Sequence, residues 1–206
     1  MRIAIAFVVG LMMAFPAVAD TPVNQVLKQE KRGLFGMPAE RIDSLLHPSQ
    51  KGATQISYSR EWLASLPKAK GGDAWRCLAE ALYFEARGES VKGQFAVAEV
   101  IMNRVDSPRF PDTVCAVINQ GTGRKYACQF TYTCDGKQEV IAEPRAYQRV
   151  AKVAKLMVNG APRVLTDGAT YYHTTAVRPK WSRKFARTTT IGVHQFYRHP
   201  TQLSQN

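Results

Sequence analysis

Glu85 is the residue whose type and position best suit acid–base chemistry. It follows Leu82 by three residues, so it continues the apolar face of a helix predicted from Asp73 to about Arg87. Burial against apolar groups raises the pKa of a carboxyl, and the negative helix C-terminus disfavours its ionisation further. A carboxyl that keeps its proton near neutral pH can act as a general acid. Glu89 follows just past the predicted helix end, and we interpret it mainly as a residue that orders this corner by hydrogen bonds.

Three amphipathic helices are predicted to form the frame around Glu85. Apolar residues recur at spacings of three and four in each of them, which is typical of a helix with one buried face. The predicted ranges are 73–87, 90–105 and 144–159, with Asp73 and Ser90 as N-caps, Pro144 at a first helical position, and Gly88 and Gly160 as terminators. Glu80 falls on a different face of the first helix and is predicted to be surface charge.

Between and after these helices the chain favours strands and turns. Residues 129–134 alternate in polarity, and residues 169–175 and 188–196 are rich in β-forming types. The predicted fold class is therefore α+β, a helix-dominated domain with a small β region.

Four cysteines follow the N-terminal segment: Cys77, Cys115, Cys128 and Cys134. An even number in an exported chain predicts two disulfides, for which three pairings exist. A straight strand over 129–133 would hold Cys128 and Cys134 roughly 20 Å apart, too far for a disulfide. Either the chain turns between them, or each pairs with Cys77 or Cys115. A zinc site is the competing interpretation, but the Cys and His spacing does not fit one.

Charge and the N-terminal residues bear on the compartment. The 206-residue chain has a net charge of +12, which favours polyanionic partners. Met1 and Arg2 precede an apolar run that closes with Ala17-Val18-Ala19, a pattern typical of a secretory signal peptide over residues 1–19. We expect an exported protein, periplasmic or secreted, with no stable membrane insertion after cleavage and no nucleic-acid partner. Residues 20–72 are predicted to be a polar, basic lead-in and linker, and residues 73–200 the main folded domain.

Several short blocks follow one another in a fixed order between residues 73 and 198. They are Leu82-Tyr-Phe-Glu-Ala-Arg-Gly-Glu89, Gly93-Gln-Phe-Ala-Val-Ala98, Asn103-Arg-Val105, Cys128-Gln-Phe130, Tyr172-His173, Pro179, Trp181, Ile191-Gly192, His194 and Phe196. In these blocks and their order, the chain resembles the SleB/CwlJ-type cell wall hydrolases. Residues 20–60 fall outside the resemblance.

The resemblance implies a lysozyme-like domain that cleaves the glycan strands of peptidoglycan, as a lytic transglycosylase with Glu85 as its catalytic acid. Such an enzyme needs no cofactor and no metal, and we expect it to act as a monomer. Two alternatives remain. The first is an amidase that cuts muramic acid from the stem peptide, although the four histidines show no recognisable zinc site. The second is a non-catalytic wall-binding protein held by its positive charge.

The same blocks supply candidate substrate-binding residues, each with a structural alternative. Arg87 either binds a substrate carboxylate or pairs with Glu89, and His173 either lines the cleft or is buried and satisfied by the backbone. Tyr171 departs from the family, which commonly has His at this position. The full set of candidates is Arg87, Glu89, Gln129, Tyr132, Tyr172, His173 and Trp181, with His194 as a structural hydrogen bonder.

Overall fold

The computed structural model describes residue 28 and residues 56–124 and 127–200. The predicted signal peptide and residues 20–55 of the predicted lead-in, residue 28 apart, lie outside the described residues, as does His47. The described chain is helix-dominated with one small antiparallel sheet, which confirms the predicted α+β class. No helix within the described ranges is long and apolar enough to cross a membrane. The helices are α1 Arg60–Ser65, α2 Asp73–Ala86, α3 Val91–Val105, α4 Val114–Ile118 and α5 Pro144–Val158, with short 3-10 helices at Thr131–Cys134 and Lys180–Arg183.

The ends of the helices follow local chemistry, with one correction. The Ser90 hydroxyl accepts a hydrogen bond from the backbone N–H of Gly93 and caps α3 as predicted. Gly160, at a φ of +88°, follows the end of α5. Asp73, predicted as the N-cap of α2, is instead its first helical residue, because its carboxylate turns outward to Arg76 at 2.6 Å and Gly72 takes the capping position.

The core forms where α2 packs against α5 and α3. Leu78, Ala81 and Leu82 of α2 are fully buried, as the apolar spacing predicts. Helix α1 lies within the predicted lead-in, yet Leu63 is buried and Tyr58 meets Phe95 edge-on, so the folded unit includes residues before α2. Burying these side chains removes apolar surface from water and holds the helices together.

The sheet consists of β1 Tyr171–Thr174, β2 Ala186–Ile191 and β3 His194–Arg198, in the order β1-β3-β2. The run predicted over 188–196 is therefore two strands joined by a tight turn, in which Gly192 adopts a φ of +60°. On the opposite side of β3, Tyr172 pairs with Phe196 and His173 with Gln195.

The prediction of a strand over 129–134 is wrong. Residues Thr131–Cys134 form a 3-10 turn, and the cysteines pair as Cys77–Cys115 and Cys128–Cys134. The two Cα atoms of the second pair lie 6.4 Å apart, which a straight strand would not allow. The chain thus turns between these cysteines, one of the two alternatives that the spacing left open.

Candidate active site

Glu85 lies in the last turn of α2 with its carboxyl largely buried. Its Oε2 accepts a hydrogen bond of 3.1 Å from the Tyr172 hydroxyl. Burial raises the pKa of Glu85, while this hydrogen bond and the positive charge of Arg104 act in the opposite direction. The net effect is a raised pKa, which favours a protonated carboxyl at the edge of the core.

Tyr172 reaches Glu85 from the sheet, 87 residues away in the sequence. Strand β1 presents alternate side chains to opposite faces, so Tyr172 points towards α2 while its neighbours point away. Its ring contacts Phe196 at 6.0 Å and His194 edge-on at 5.2 Å. Burial and the nearby Glu85 carboxylate raise the pKa of Tyr172, so the phenol stays protonated and acts as the donor.

Arg104 is a buried cation that the sequence analysis quoted in a motif without assigning it to the site. Its side chain is almost fully buried on α3, and its Nε donates to the Thr170 carbonyl at 2.7 Å. Gln129, with its amide oriented to satisfy both groups, accepts from Nη1 and Nη2 at 3.2 and 3.3 Å. Helical phase could have indicated this position, because Arg104 follows the buried Ile101 by three residues and so lies on the same face of the helix. A buried arginine requires hydrogen-bond or ionic partners.

The side chain of Glu89 is mostly buried. Its side chain is 11% exposed and its Oε1 lies 3.3 Å from Nδ1 of His194, whose side chain is 4% exposed. Burial lowers the pKa of His194, and the Glu89 carboxylate opposes that shift. The turn between β2 and β3 closes over this pair, because a Cβ at Gly192 would stand only 2.0 Å from Glu89 Oε2. The structural roles expected for both residues from the sequence stay predictions.

Tyr132 lies on the same side of the molecule as Glu85. Its ring stacks on Phe84 at 4.5 Å, and the Glu85 carboxylate contributes to the raised pKa of its phenol. The Cys128–Cys134 disulfide closes the turn that carries both Tyr132 and Gln129. Glu80, predicted to be surface charge, is half-buried, and burial also raises its pKa.

Other candidates lie apart from Glu85. Arg87 pairs with Glu143 at 2.8 Å rather than with Glu89, and both side chains are largely solvent-exposed. His173 points to the opposite face of β1 from Tyr172, where Nδ1 lies 2.8 Å from the Thr174 carbonyl.

An aromatic cluster on that opposite face holds the remaining candidates. Trp181 contacts both His173 and Tyr171, at centroid distances of 5.5 and 5.4 Å. Tyr171 also packs edge-on against Phe185 at 4.8 Å. Among the described residues, no group of three or more His, Cys, Asp or Glu side chains comes together as a metal site would require.

Comparison with known proteins gives one consistent family. The profile of the family described as cell wall hydrolase matches residues 88–197. The spore cortex-lytic enzyme of Halalkalibacterium halodurans is 34% identical over 139 residues, which cover 66% of this chain and 38% of the relative. The spore cortex-lytic enzyme of Bacillus subtilis is 39% identical over 88 residues, which cover 43% of this chain and 26% of the relative.

This chain is also similar to a protein domain of known structure. The catalytic domain of the Bacillus cereus SleB protein is 33% identical, with a TM-score of 0.46, over 65% of this chain and 95% of that one. The matched residues span well under half the length of the two spore cortex-lytic enzymes described above. Glu85 stands three residues before the segment that the family profile matches.

Proposed function

The chain belongs to the cell wall hydrolase family, and on that premise we propose that it cleaves peptidoglycan glycan strands between N-acetylmuramic acid and N-acetylglucosamine. We propose a lytic transglycosylase with Glu85 as its single acid and base. The observation that carries this is a largely buried Glu85 carboxyl at the end of a core helix, with a raised pKa and a hydrogen bond from Tyr172.

In the first step, the protonated Glu85 carboxyl donates its proton to the glycosidic oxygen as the bond to the anomeric carbon breaks. Cleavage of this kind passes through an oxocarbenium-like transition state. The raised pKa of Glu85 favours the protonated carboxyl that this step needs. Tyr172 holds the carboxyl in one orientation during this step by donating to Oε2.

In the second step, the Glu85 carboxylate acts as the base. It removes the proton of the muramic acid 6-hydroxyl, whose oxygen attacks the anomeric carbon of the same sugar. The product is a 1,6-anhydro ring, and Glu85 regains the proton that it lost. The hydrogen bond from Tyr172 and the charge of Arg104 favour the carboxylate that exists between the two steps.

The surroundings of Glu89 support a mechanism with one carboxylate. A conventional hydrolase needs a second carboxyl to act as nucleophile or to activate water. Glu89 is the acidic residue nearest in sequence after Glu85, but it is buried beside His194 and covered by the turn at Gly192. In this proposal Glu89 has a structural role, and the substrate supplies the nucleophile.

In this proposal the substrate contacts near the scissile bond come from residues close to Glu85. Tyr132 offers a phenol beside the carboxyl, and Gln129 is held in place by Arg104. We assign no substrate contact near the scissile bond to Arg87, Glu89, His173 or Trp181, because they pair elsewhere or lie on the other face of the sheet.

We propose further that the protein works outside the cytoplasm, in the periplasm or after secretion, as a monomer. The predicted signal peptide 1–19, the lead-in 20–72 and the catalytic domain 73–200 are part of this proposal, with α1 of the lead-in packed onto the catalytic domain. The substrate is extracytoplasmic, and the two disulfides fit an oxidising compartment.

The test is the release of soluble fragments from purified sacculi. We expect Glu85→Gln to lower the rate at least about a hundredfold, since it removes the general acid. The control is Glu61→Gln, which changes an exposed carboxylate in the first turn of α1 by the same atoms and should leave the rate unchanged. Equal activity of Glu85→Gln and the wild type would contradict the proposal.

A further inference from the structure

The outer face of the sheet, turned away from Glu85, carries a cavity of about 540 Å³. Its floor includes His173, Gln195 and Tyr197. Because successive side chains of a strand point to opposite faces, His173 faces this cavity while Tyr172 faces Glu85. The cavity is therefore a concave site apart from Glu85, with a volume in the range of small-ligand pockets.

The cavity is strongly positive. Three arginines line it, Arg178, Arg183 and Arg187, and no Asp or Glu does. Within the part of the chain that the structure describes, no carboxylate forms an ion pair with any of the three guanidinium groups.

The floor of the cavity is ordered in advance. The Tyr197 hydroxyl donates to Gln195 Oε1 at 2.8 Å, and the oxygen of this Tyr197 hydroxyl lies 3.0 Å from His173 Nε2. The rings of His173 and Tyr197 stack at 5.1 Å, with Trp181 edge-on to both. A floor that is fixed before binding lowers the entropy cost of ordering the site around a ligand.

The lining combines these charges with apolar side chains. Phe185 and the exposed Val177 stand on the same wall as the arginines. A guanidinium group matches a carboxylate through two parallel hydrogen bonds. The lining therefore fits an acid-bearing molecule with apolar parts, and a short peptide with free carboxylates has both features.

We propose that this cavity binds the carboxylate-bearing peptide stem of peptidoglycan. The inference rests on the proposed function for the substrate class, but the cavity is separate from Glu85. The two faces of one sheet thus contact two parts of one polymer, with glycan at Glu85 and peptide at the arginines. The protein therefore favours strands that carry peptides over strands stripped of them.

The experiment is calorimetric titration of the mature chain with the stem peptide that an amidase releases from sacculi. We expect the triple variant Arg178→Gln, Arg183→Gln, Arg187→Gln to bind this peptide at least about tenfold more weakly, because charged hydrogen bonds are lost. The matched control is Arg60→Gln, Arg145→Gln, Arg149→Gln, which removes three exposed arginines elsewhere and should bind as the wild type does. Circular dichroism melting checks that both variants fold.

Two further titrations make the result decisive. The Glu85→Gln protein should bind the peptide with the same affinity as the wild type. Peptide binding and glycan cleavage are therefore measured separately, and either of the two proposals can fail while the other holds. The peptide with its carboxylates converted to amides should bind at least about tenfold more weakly than the native peptide. Equal binding by the triple variant, equal binding of the amidated peptide, or binding of inorganic phosphate without the peptide would each overturn the proposal.

Discussion

The Glu85–Tyr172 hydrogen bond is the central feature at the scale of single residues. It joins the end of a helix to a strand and sets how readily the carboxyl gives up its proton. Helical phase alone predicted that Glu85 would lie at the core edge. Its partner was not predictable in this way, because no local pattern relates two residues 87 positions apart.

Tyr172→Phe tests that hydrogen bond. The Tyr172 hydroxyl lowers the pKa of Glu85, so its removal should raise that pKa further. The acid form then persists to higher pH, and the limb of the pH–rate profile that falls with rising pH should move to higher pH. We also expect kcat to fall about tenfold, since the carboxyl loses a charge-assisted hydrogen bond.

The control for this variant is Tyr147→Phe, which removes a half-buried hydroxyl from α5, away from Glu85. It should leave the pH–rate profile in place. If Tyr172→Phe left the pH–rate profile in place, the Tyr172 hydroxyl would not influence the pKa of Glu85.

Glu85→Gln should stabilise the folded protein at neutral pH. The pKa of Glu85 is raised on folding, so the folded state binds this proton more tightly than the unfolded chain. Stability from this group is therefore fully present below the unfolded pKa of the carboxyl and is lost as pH rises towards the folded pKa. The glutamine lacks that loss, so its free energy of unfolding at pH 7 should be higher than that of the wild type.

Urea unfolding of both proteins at pH 3 and pH 7 measures this difference. The gain should be present at pH 7 and absent at pH 3, with Glu61→Gln as the exposed control. A glutamine variant less stable than the wild type at pH 7 would argue against a burial cost at Glu85.

At the scale of elements, the turn between β2 and β3 holds the buried Glu89–His194 pair in place. The β-forming residues of 188–196 correctly predicted strand structure. They did not predict the turn between two strands, which depends on the left-handed backbone of Gly192. The segment 129–134 shows the opposite failure. Its alternating polarity predicted a strand, and the disulfide between Cys128 and Cys134 imposes a 3-10 turn instead, because a covalent constraint outweighs a weak local preference.

Gly192→Ala tests the close contact under this turn. The new Cβ would meet Glu89 Oε2 at 2.0 Å and would also sit at a positive φ. The control is Gly160→Ala, which has a positive φ but open space around the new Cβ. We expect the control to cost about 1 kcal/mol in free energy of unfolding and Gly192→Ala to cost at least about 2 kcal/mol more. Equal losses in urea unfolding would mean that the turn does not press on Glu89.

At the scale of the whole molecule, the positive charge belongs mainly to the residues that follow residue 55. Residues 20–55 contain five Lys or Arg and four Asp or Glu, so they carry a net +1 out of the +12 of the full sequence. The order of the motif blocks predicted the family, and the family profile confirms it. The net charge of +12 indicates a polyanionic partner, and that stays a prediction. The positive cavity on the outer face was not predictable, because its three arginines look like ordinary surface charge until the fold brings them together.

Binding to sacculi should therefore weaken with salt in a way that does not depend on residues 20–55. Exposed charges are screened beyond about 10 Å at 0.1 M salt. We expect the bound fraction in a pelleting assay to fall as NaCl rises from about 0.05 to 0.5 M. The mature chain and the same chain lacking residues 20–55 should give the same curve, with Glu85→Gln protein used throughout to prevent digestion. A curve that flattens on deletion would assign the attraction to the lead-in.

The most direct measurement for the account as a whole is mass spectrometry of the fragments that the mature protein releases from sacculi. A single acid and base at Glu85 predicts fragments that end in 1,6-anhydro-muramic acid, lighter by one water than hydrolysis products and absent with Glu85→Gln. Fragments with ordinary reducing ends would contradict the one-carboxylate mechanism, and released stem peptides would contradict cleavage of the glycan strand itself.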